Sequence, residues 1–115
     1  MFKRLLVPLA LAGLLVSGQA LADPVLKVTE PANGATVGPV KTVKLTYTEP
    51  VSLLSMELRH DGKKRRVDVS RVTAAMTLSV RVKAKKPGEY SVQWSGISRT
   101  GGHLVSGKLT FTVSE

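Results

Sequence analysis

Few side chains in this 115-residue sequence could carry chemistry, and the histidines His60 and His103 are the main candidates. The chain has no cysteine, so it offers neither a thiolate nucleophile nor a thiolate metal ligand. No serine stands in a recognisable motif with a histidine and an acid, and no glycine-rich phosphate loop opens a helix. Because these parts are missing, we predict that the protein is not an enzyme.

Both histidines fall at turns. His60 precedes Asp61-Gly62, which is a hairpin signal, and it has no partner at metal-ligand spacing, so we expect it on the surface. His103 follows two glycines, and taken alone it is typical of an exposed loop histidine. Glu49 directly precedes Pro50, where we expect a solvated or turn-forming carboxylate rather than a catalytic one.

The first 22 residues have the pattern of a signal peptide. Two basic residues, at positions 3 and 4, precede an apolar stretch over residues 5–16 that is too short to span a bilayer with ease. Ala20-Leu21-Ala22 then places small residues where a signal peptidase cleaves. We predict export, cleavage after Ala22 and a soluble mature domain over residues 23–115.

The mature chain is basic. Removal of Lys3 and Arg4 leaves fifteen basic side chains against eight acidic ones, a net charge of +7. Two concentrations stand out: the run Lys63-Lys64-Arg65-Arg66, and a series over residues 81–86 in which basic residues alternate with apolar ones. Alternation of this kind is typical of the solvent face of a strand. Export and the scarcity of aromatic residues argue against nucleic acid as a partner.

Apolar and polar residues alternate along most of the mature chain, and no segment has a sustained helical period. About seven such segments are separated by turn signals, of which Asn33-Gly34, Asp61-Gly62 and Pro87-Gly88 are examples. No segment is long enough for a crossover helix. The pattern predicts an all-β fold, a single antiparallel β-sandwich of about seven strands with immunoglobulin-like or Greek-key connections.

The inward-facing residues of these strands form the predicted core. They are Val28, Val43, Leu45, Tyr47, Leu58, Leu78, Val80, Tyr90, Val92, Trp94, Leu109, Phe111 and Val113. We expect Trp94 to anchor this core because of its large apolar area. Met56 and Met76 each lie on an alternating apolar face, so we interpret both as core residues rather than metal ligands.

Two stretches of the mature chain resemble the CopC copper-resistance family. The first comprises Leu26, Pro31-Ala32, Gly34-Ala35, Val37 and the segment Leu45-Thr46-Tyr47-Thr48-Glu49-Pro50-Val51. The second comprises Pro87-Gly88-Glu89-Tyr90-Ser91-Val92-Gln93-Trp94, Ser98, Gly102-His103, Ser106-Gly107, Phe111 and Val113. The resemblance implies a periplasmic cupredoxin-like or immunoglobulin-like β-sandwich that binds copper, and it does not imply an enzyme.

The family's Cu(II) site combines an N-terminal histidine with an aspartate and a histidine of the loop after the tryptophan strand. By that resemblance, Asp23 stands where the N-terminal histidine belongs, and His103 matches the loop histidine. The loop aspartate is missing, and Gly101 or Gly102 stands near its place. The implied metal site is therefore reduced to the α-amino group and carboxylate of Asp23 and the imidazole of His103.

Such a site would hold copper weakly. The α-amino group must lose its proton, at a pKa of about 8, before it can bind a metal. Pro24 has no amide hydrogen, so copper cannot use the second backbone nitrogen as a ligand.

Two hypotheses follow from the sequence. The first is a monomeric copper-handling protein that captures Cu(II) weakly and delivers it, for example to a membrane copper transporter. The second is a metal-free interaction module that kept the fold and uses its basic surface, including Lys63-Lys64-Arg65-Arg66, to bind an acidic partner or an anionic membrane.

Overall fold

The structure is a computed structural model that describes residues 25–115. The predicted signal peptide, its cleavage after Ala22 and the candidate ligand Asp23 lie outside the described residues. The described part of the chain contains no helix, and so none that could cross a membrane.

Seven strands make up the described chain, which confirms the all-β prediction. They are β1 (Leu26–Glu30), β2 (Thr36–Val37), β3 (Val40–His60), β4 (Lys63–Arg66), β5 (Ala75–Ala84), β6 (Gly88–Ser98) and β7 (Leu104–Val113). Asp61 and Gly62 join β3 to β4 with φ angles of 54° and 75°. Two successive positive φ angles are what a two-residue hairpin turn requires, as the Asp-Gly pair predicts.

The long strand β3 belongs to both layers of the sandwich. Its first half pairs with β1 and β5, and its second half pairs with β4 and β6. Strand β7 continues the second layer beside β6. The pairings are antiparallel except one, because β2 runs parallel to β7, where Thr36 pairs with Thr112. The sheet is therefore mixed at this edge, whereas the sequence predicted antiparallel pairing throughout.

The predicted core is buried with one exception. Val28 is 51% exposed, and the prediction that it is buried was wrong. A register shift between Leu26 and Val28 in the β1–β3 pair reverses the alternation, so that Thr29 faces inward in its place. A one-residue shift exchanges the two faces of a strand. The inward Thr29 hydroxyl donates to the carbonyl of Pro31 at 2.9 Å.

The two methionines of the predicted mature chain have different environments. Met56 is buried, as predicted. Met76 is 50% exposed, and its assignment to the core was wrong. It lies opposite the stretch between Thr46 and Val51 where the β3–β5 ladder is irregular, so the facing strand does not cover it.

Trp94 anchors the core, as predicted. Its indole nitrogen donates to the hydroxyl of Tyr47 at 2.8 Å, which links the second layer to the first half of β3. Across the β6–β7 pair, Gly107 lies opposite Trp94. A Cβ atom at position 107 would lie 2.5 Å from the indole Cζ2, so the ring occupies the space that any other side chain would need.

We expect Gly107→Ala to destabilise the fold by about 1–3 kcal/mol, because the added methyl group must displace the buried Trp94 ring. Urea unfolding followed by tryptophan fluorescence measures the change. Gly38→Ala is the control, since a Cβ atom there meets nothing within 4 Å. Equal stability of Gly107→Ala and the wild-type protein would contradict this account of Trp94 packing.

Candidate metal site

The first element of the site is the point where β3 passes from one layer to the other. Thr46 pairs with Thr77 and Val51 with Ala75, so four residues of β3 lie opposite one residue of β5. Glu49 and Pro50 fall in this bowed stretch. Proline has no N–H to donate to a ladder, which favours the interruption here. Because the β3–β5 ladder is interrupted here, Glu49 does not take part in the regular pairing and lies beside the loop of the β6–β7 hairpin.

The second element is the loop between β6 and β7. The amide of Ser98 donates to the carbonyl of His103 at 2.9 Å, and the amide of Gly102 donates to the carbonyl of Ser98 at 2.8 Å. Gly102 has a φ of 70°, which favours glycine. The amide of Arg99 donates to the carbonyl of Pro50 at 2.8 Å and ties the loop to β3. These bonds hold His103 beside Glu49.

Glu49 and His103 are in direct contact across 54 residues of sequence. Nε2 of His103 lies 3.2 Å from Oε2 of Glu49, and the buried Ser98 hydroxyl donates a hydrogen bond to the same carboxylate oxygen. The Glu49 side chain is 22% exposed and the His103 side chain 49% exposed. The pair thus presents one carboxylate and one imidazole that a small ligand can reach from solvent.

Gly101, near the place of the loop aspartate that the resemblance implies, lies against the His103 ring. A Cβ atom at position 101 would lie 2.9 Å from Cδ2 of His103, so a side chain there would require the half-exposed imidazole to shift. In this chain, the carboxylate beside the loop histidine comes from β3 and not from the loop.

The structure does not assemble a complete metal site from the residues it describes. Within residues 25–115, no group of three or more histidine, cysteine, aspartate or glutamate side chains could hold an ion. Asp23 lies outside the described residues. Val25, the first described residue, nevertheless lies close to Glu49. Its carbonyl accepts a hydrogen bond from the amide of Thr48, the residue before Glu49, at 2.9 Å.

His60 does not join His103. Its ring stacks on Tyr90 with centroids 4.0 Å apart, and its Nδ1 lies 3.1 Å from the carbonyl oxygen of Glu89. Tyr90 and Ser98 are eight residues apart in β6, which corresponds to about 26 Å of strand. The two histidines therefore belong to opposite ends of the domain.

Sequence reasoning missed Glu49. The prediction of a solvated or turn-forming carboxylate rested on its position before Pro50, and it did not anticipate the contact with His103 and Ser98. A signal was available, since Glu49 falls within the segment from Leu45 to Val51 that carries part of the family resemblance.

Comparison with known proteins gives a consistent result. The family model of the CopC domain matches residues 26–114. The crystal structure of CopC from Methylosinus trichosporium OB3b superposes with a TM-score of 0.65 at 24% identity, covering 84% of this chain and 94% of that one. PcoC, a methionine-rich copper resistance protein from Escherichia coli, superposes with a TM-score of 0.59 at 20% identity, covering 81% of this chain and 100% of that one. The sequence has no significant match among curated proteins.

We expect Ser98→Ala to cost about 1.5–3 kcal/mol of stability, because it removes a buried hydroxyl that donates to a carboxylate. Urea unfolding measures the loss. The matched control is Ser55→Ala, whose hydroxyl contacts that of Ser95 at the surface and should change stability by less than about 0.5 kcal/mol. Equal effects of the two substitutions would show that the Ser98–Glu49 bond does not support the loop.

Proposed function

This chain belongs to the CopC domain family, and we propose that it acts in copper resistance. In this role it is a periplasmic protein that binds Cu(II) weakly and delivers it to a partner. The ligands are Glu49, His103 and, in the processed protein, Asp23. The observation that carries the proposal is the 3.2 Å approach of the His103 imidazole to the Glu49 carboxylate.

The donor types fit the ion. Imidazole nitrogen, amine nitrogen and carboxylate oxygen are ligands that Cu(II) accepts, whereas a Cu(I) site would favour thiolate or thioether sulfur. The chain has no cysteine, Met56 is buried in the core, and the exposed Met76 offers a single thioether. In the exposed pair, Glu49 supplies the carboxylate that the loop lacks. Ser98 orients that carboxylate by donating to it, as outer-shell groups do around metal ligands.

The N-terminus supplies the second nitrogen. Asp23 is two residues before Val25. The carbonyl of Val25 accepts a hydrogen bond from the amide of Thr48, which precedes Glu49. Two residues of extended chain span at most about 7 Å. After cleavage behind Ala22, the α-amino group and carboxylate of Asp23 are then within chain reach of Glu49. Cleavage at another position would move this amine away.

A site with few and exposed metal ligands is suited to a protein that transfers copper rather than to one that stores it. With one imidazole and one amine, the site binds Cu(II) less firmly than the family's site, which has a second imidazole. Because His103 is half exposed, an incoming ligand of a partner can displace the protein's own ligands one at a time. We therefore propose a monomer that exchanges copper with a partner such as a membrane copper transporter.

Cu(II) titration of the purified protein, with mass spectrometry of its N-terminus, tests this proposal. We expect one Cu(II) per chain. His103→Ala should abolish binding, and Glu49→Gln should weaken it by at least about tenfold, since even outer-shell partners are worth about 10–100-fold in metal affinity. An alanine inserted before Asp23 should also weaken binding, because it displaces the amine. His60→Gln is the matched control, as this histidine lies at the other end of β6.

The outcomes separate the two hypotheses that the sequence leaves open. Binding that survives His103→Ala but not His60→Gln would contradict the assigned site. Absence of binding to the wild-type protein at micromolar copper would favour the metal-free interaction module.

A further inference from the structure

The two basic segments of the sequence, which are about twenty residues apart, line one groove. This basic groove has a volume of about 470 Å³ and is lined by six cationic and three uncharged or weakly basic residues. They are Lys63, Lys64, Arg65, Lys83, Lys85 and Lys86, with Leu58, His60 and Tyr90. The volume is within the range of ordinary ligand pockets. The charge that looks dispersed in the sequence is therefore concentrated at one place.

The walls of the groove are two edge strands. In the described chain, β4 and β5 each pair with β3 alone, so the outer edge of each strand has no neighbouring strand. Nη2 of Arg65 in β4 donates to the carbonyl of Val82 in β5 at 2.5 Å. This bond connects the edges of the two layers and fixes the guanidinium group within the groove.

The cations of the groove lack acidic partners. Among residues 25–115, the ion pairs are Lys44–Glu30, Arg59–Glu57 and His103–Glu49, and none of them involves a groove cation. Asp61 and Glu89 do not line the groove; they line a neighbouring cavity that shares His60, Lys64 and Tyr90 with it. Six like charges in one concave site produce a field that attracts anionic groups.

Lys83 lies in a β-bulge and has a backbone conformation that is unfavourable for a lysine. Val40 pairs with Ala84 and Thr42 with Arg81, so two residues of β5 bulge opposite one residue of β3. Lys83 has a φ of 56°, a conformation that glycine adopts more readily than lysine. A lysine here adds a cation to the groove at a cost in backbone strain.

Apolar surface lies between the charged groups, because the aliphatic stems of the lysines line the groove. Leu58 and Tyr90 are almost fully buried and close its floor, where His60 stacks on the Tyr90 ring. The Tyr90 hydroxyl donates to the carbonyl of Lys86 at 2.8 Å, which holds the end of β5 against β6. A ligand that fits must therefore carry negative charge together with some apolar surface.

From these observations we infer that the basic groove binds an extended acidic segment of a partner polypeptide. Its carboxylates contact the ammonium groups of the lysines and Arg65, its apolar side chains lie on the aliphatic stems of the lysines, and its backbone adds to an edge strand. A lipid surface fits less well. The large apolar side chains that are strongly exposed in residues 25–115 are Val28, Leu54, Met76 and Leu104, and none of them lines the groove to enter a membrane.

This inference goes beyond the proposed copper function and is independent of it. Tyr90 in the groove and Ser98 beside Glu49 lie about 26 Å apart along β6. A segment bound in the groove leaves His103 open. The His103→Ala variant should therefore bind the segment as the wild-type protein does, and a failed copper titration would not affect the test below.

The test uses a blocked, fluorescently labelled peptide of about eight alternating glutamate and valine residues, a pattern that separates carboxylates and apolar side chains on a strand. Fluorescence anisotropy at about 0.15 M salt measures its affinity. Lys64→Glu with Lys85→Glu should weaken binding by at least about tenfold. The control, Lys27→Glu with Lys108→Glu, changes the net charge equally outside the groove and should alter affinity by less than about twofold.

Lys83→Gly is a second variant, chosen because glycine accepts the positive φ of this position without strain. Its Tm should be no lower than that of the wild-type protein, and it should still weaken peptide binding because it removes one cation of the groove. Equal weakening by the groove and control pairs would overturn the inference in favour of net charge. Groove-dependent binding to phosphatidylglycerol vesicles, with none to the peptide, would overturn it in favour of lipid. Binding of the Lys83→Gly variant as tight as that of wild type would contradict a segment lying over β5.

Discussion

The structure depends on one strand that must serve two layers. Strand β3 pairs with β1 and β5 over its first half and with β4 and β6 over its second half, so its ladder has to be interrupted between them. Glu49-Pro50 is that interruption. A polar side chain released from a regular ladder needs other partners, and Glu49 finds them in Ser98 and His103. The candidate metal site is therefore a consequence of how the chain changes layer.

Alternation in the sequence predicted most of the fold because most strands are regular and half buried. The inward apolar residues of β6 and β7, such as Tyr90, Val92 and Phe111, alternate with outward residues and are buried. The errors occur at ladder irregularities. Val28 follows a register shift, and Met76 faces the bowed part of β3. A bulge arises from the pairing of two strands, so the alternation of residues within one strand does not predict it.

The sequence predicted one of the two residues that the structure brings together at the candidate site. His103 could be identified because the resemblance fixes its place in the loop, whereas Glu49 required the contact between residues 54 positions apart. The basic groove was hidden for the same reason. Lys63–Arg66 and residues 81–86 each look like the solvated face of a strand, and exposure confirms that interpretation for each strand separately. The tertiary bond from Arg65 to Val82 brings them together.

The composition of β4 and the end of β5 also determines how copies of the protein behave toward each other. An edge strand with free N–H and C=O groups is a template on which identical chains can polymerise into fibrils. Here two copies that approach by these edges bring lysines and arginines against lysines and arginines, and the repulsion opposes contact before backbone pairing can begin. The charge of these two edges therefore disfavours self-assembly through them.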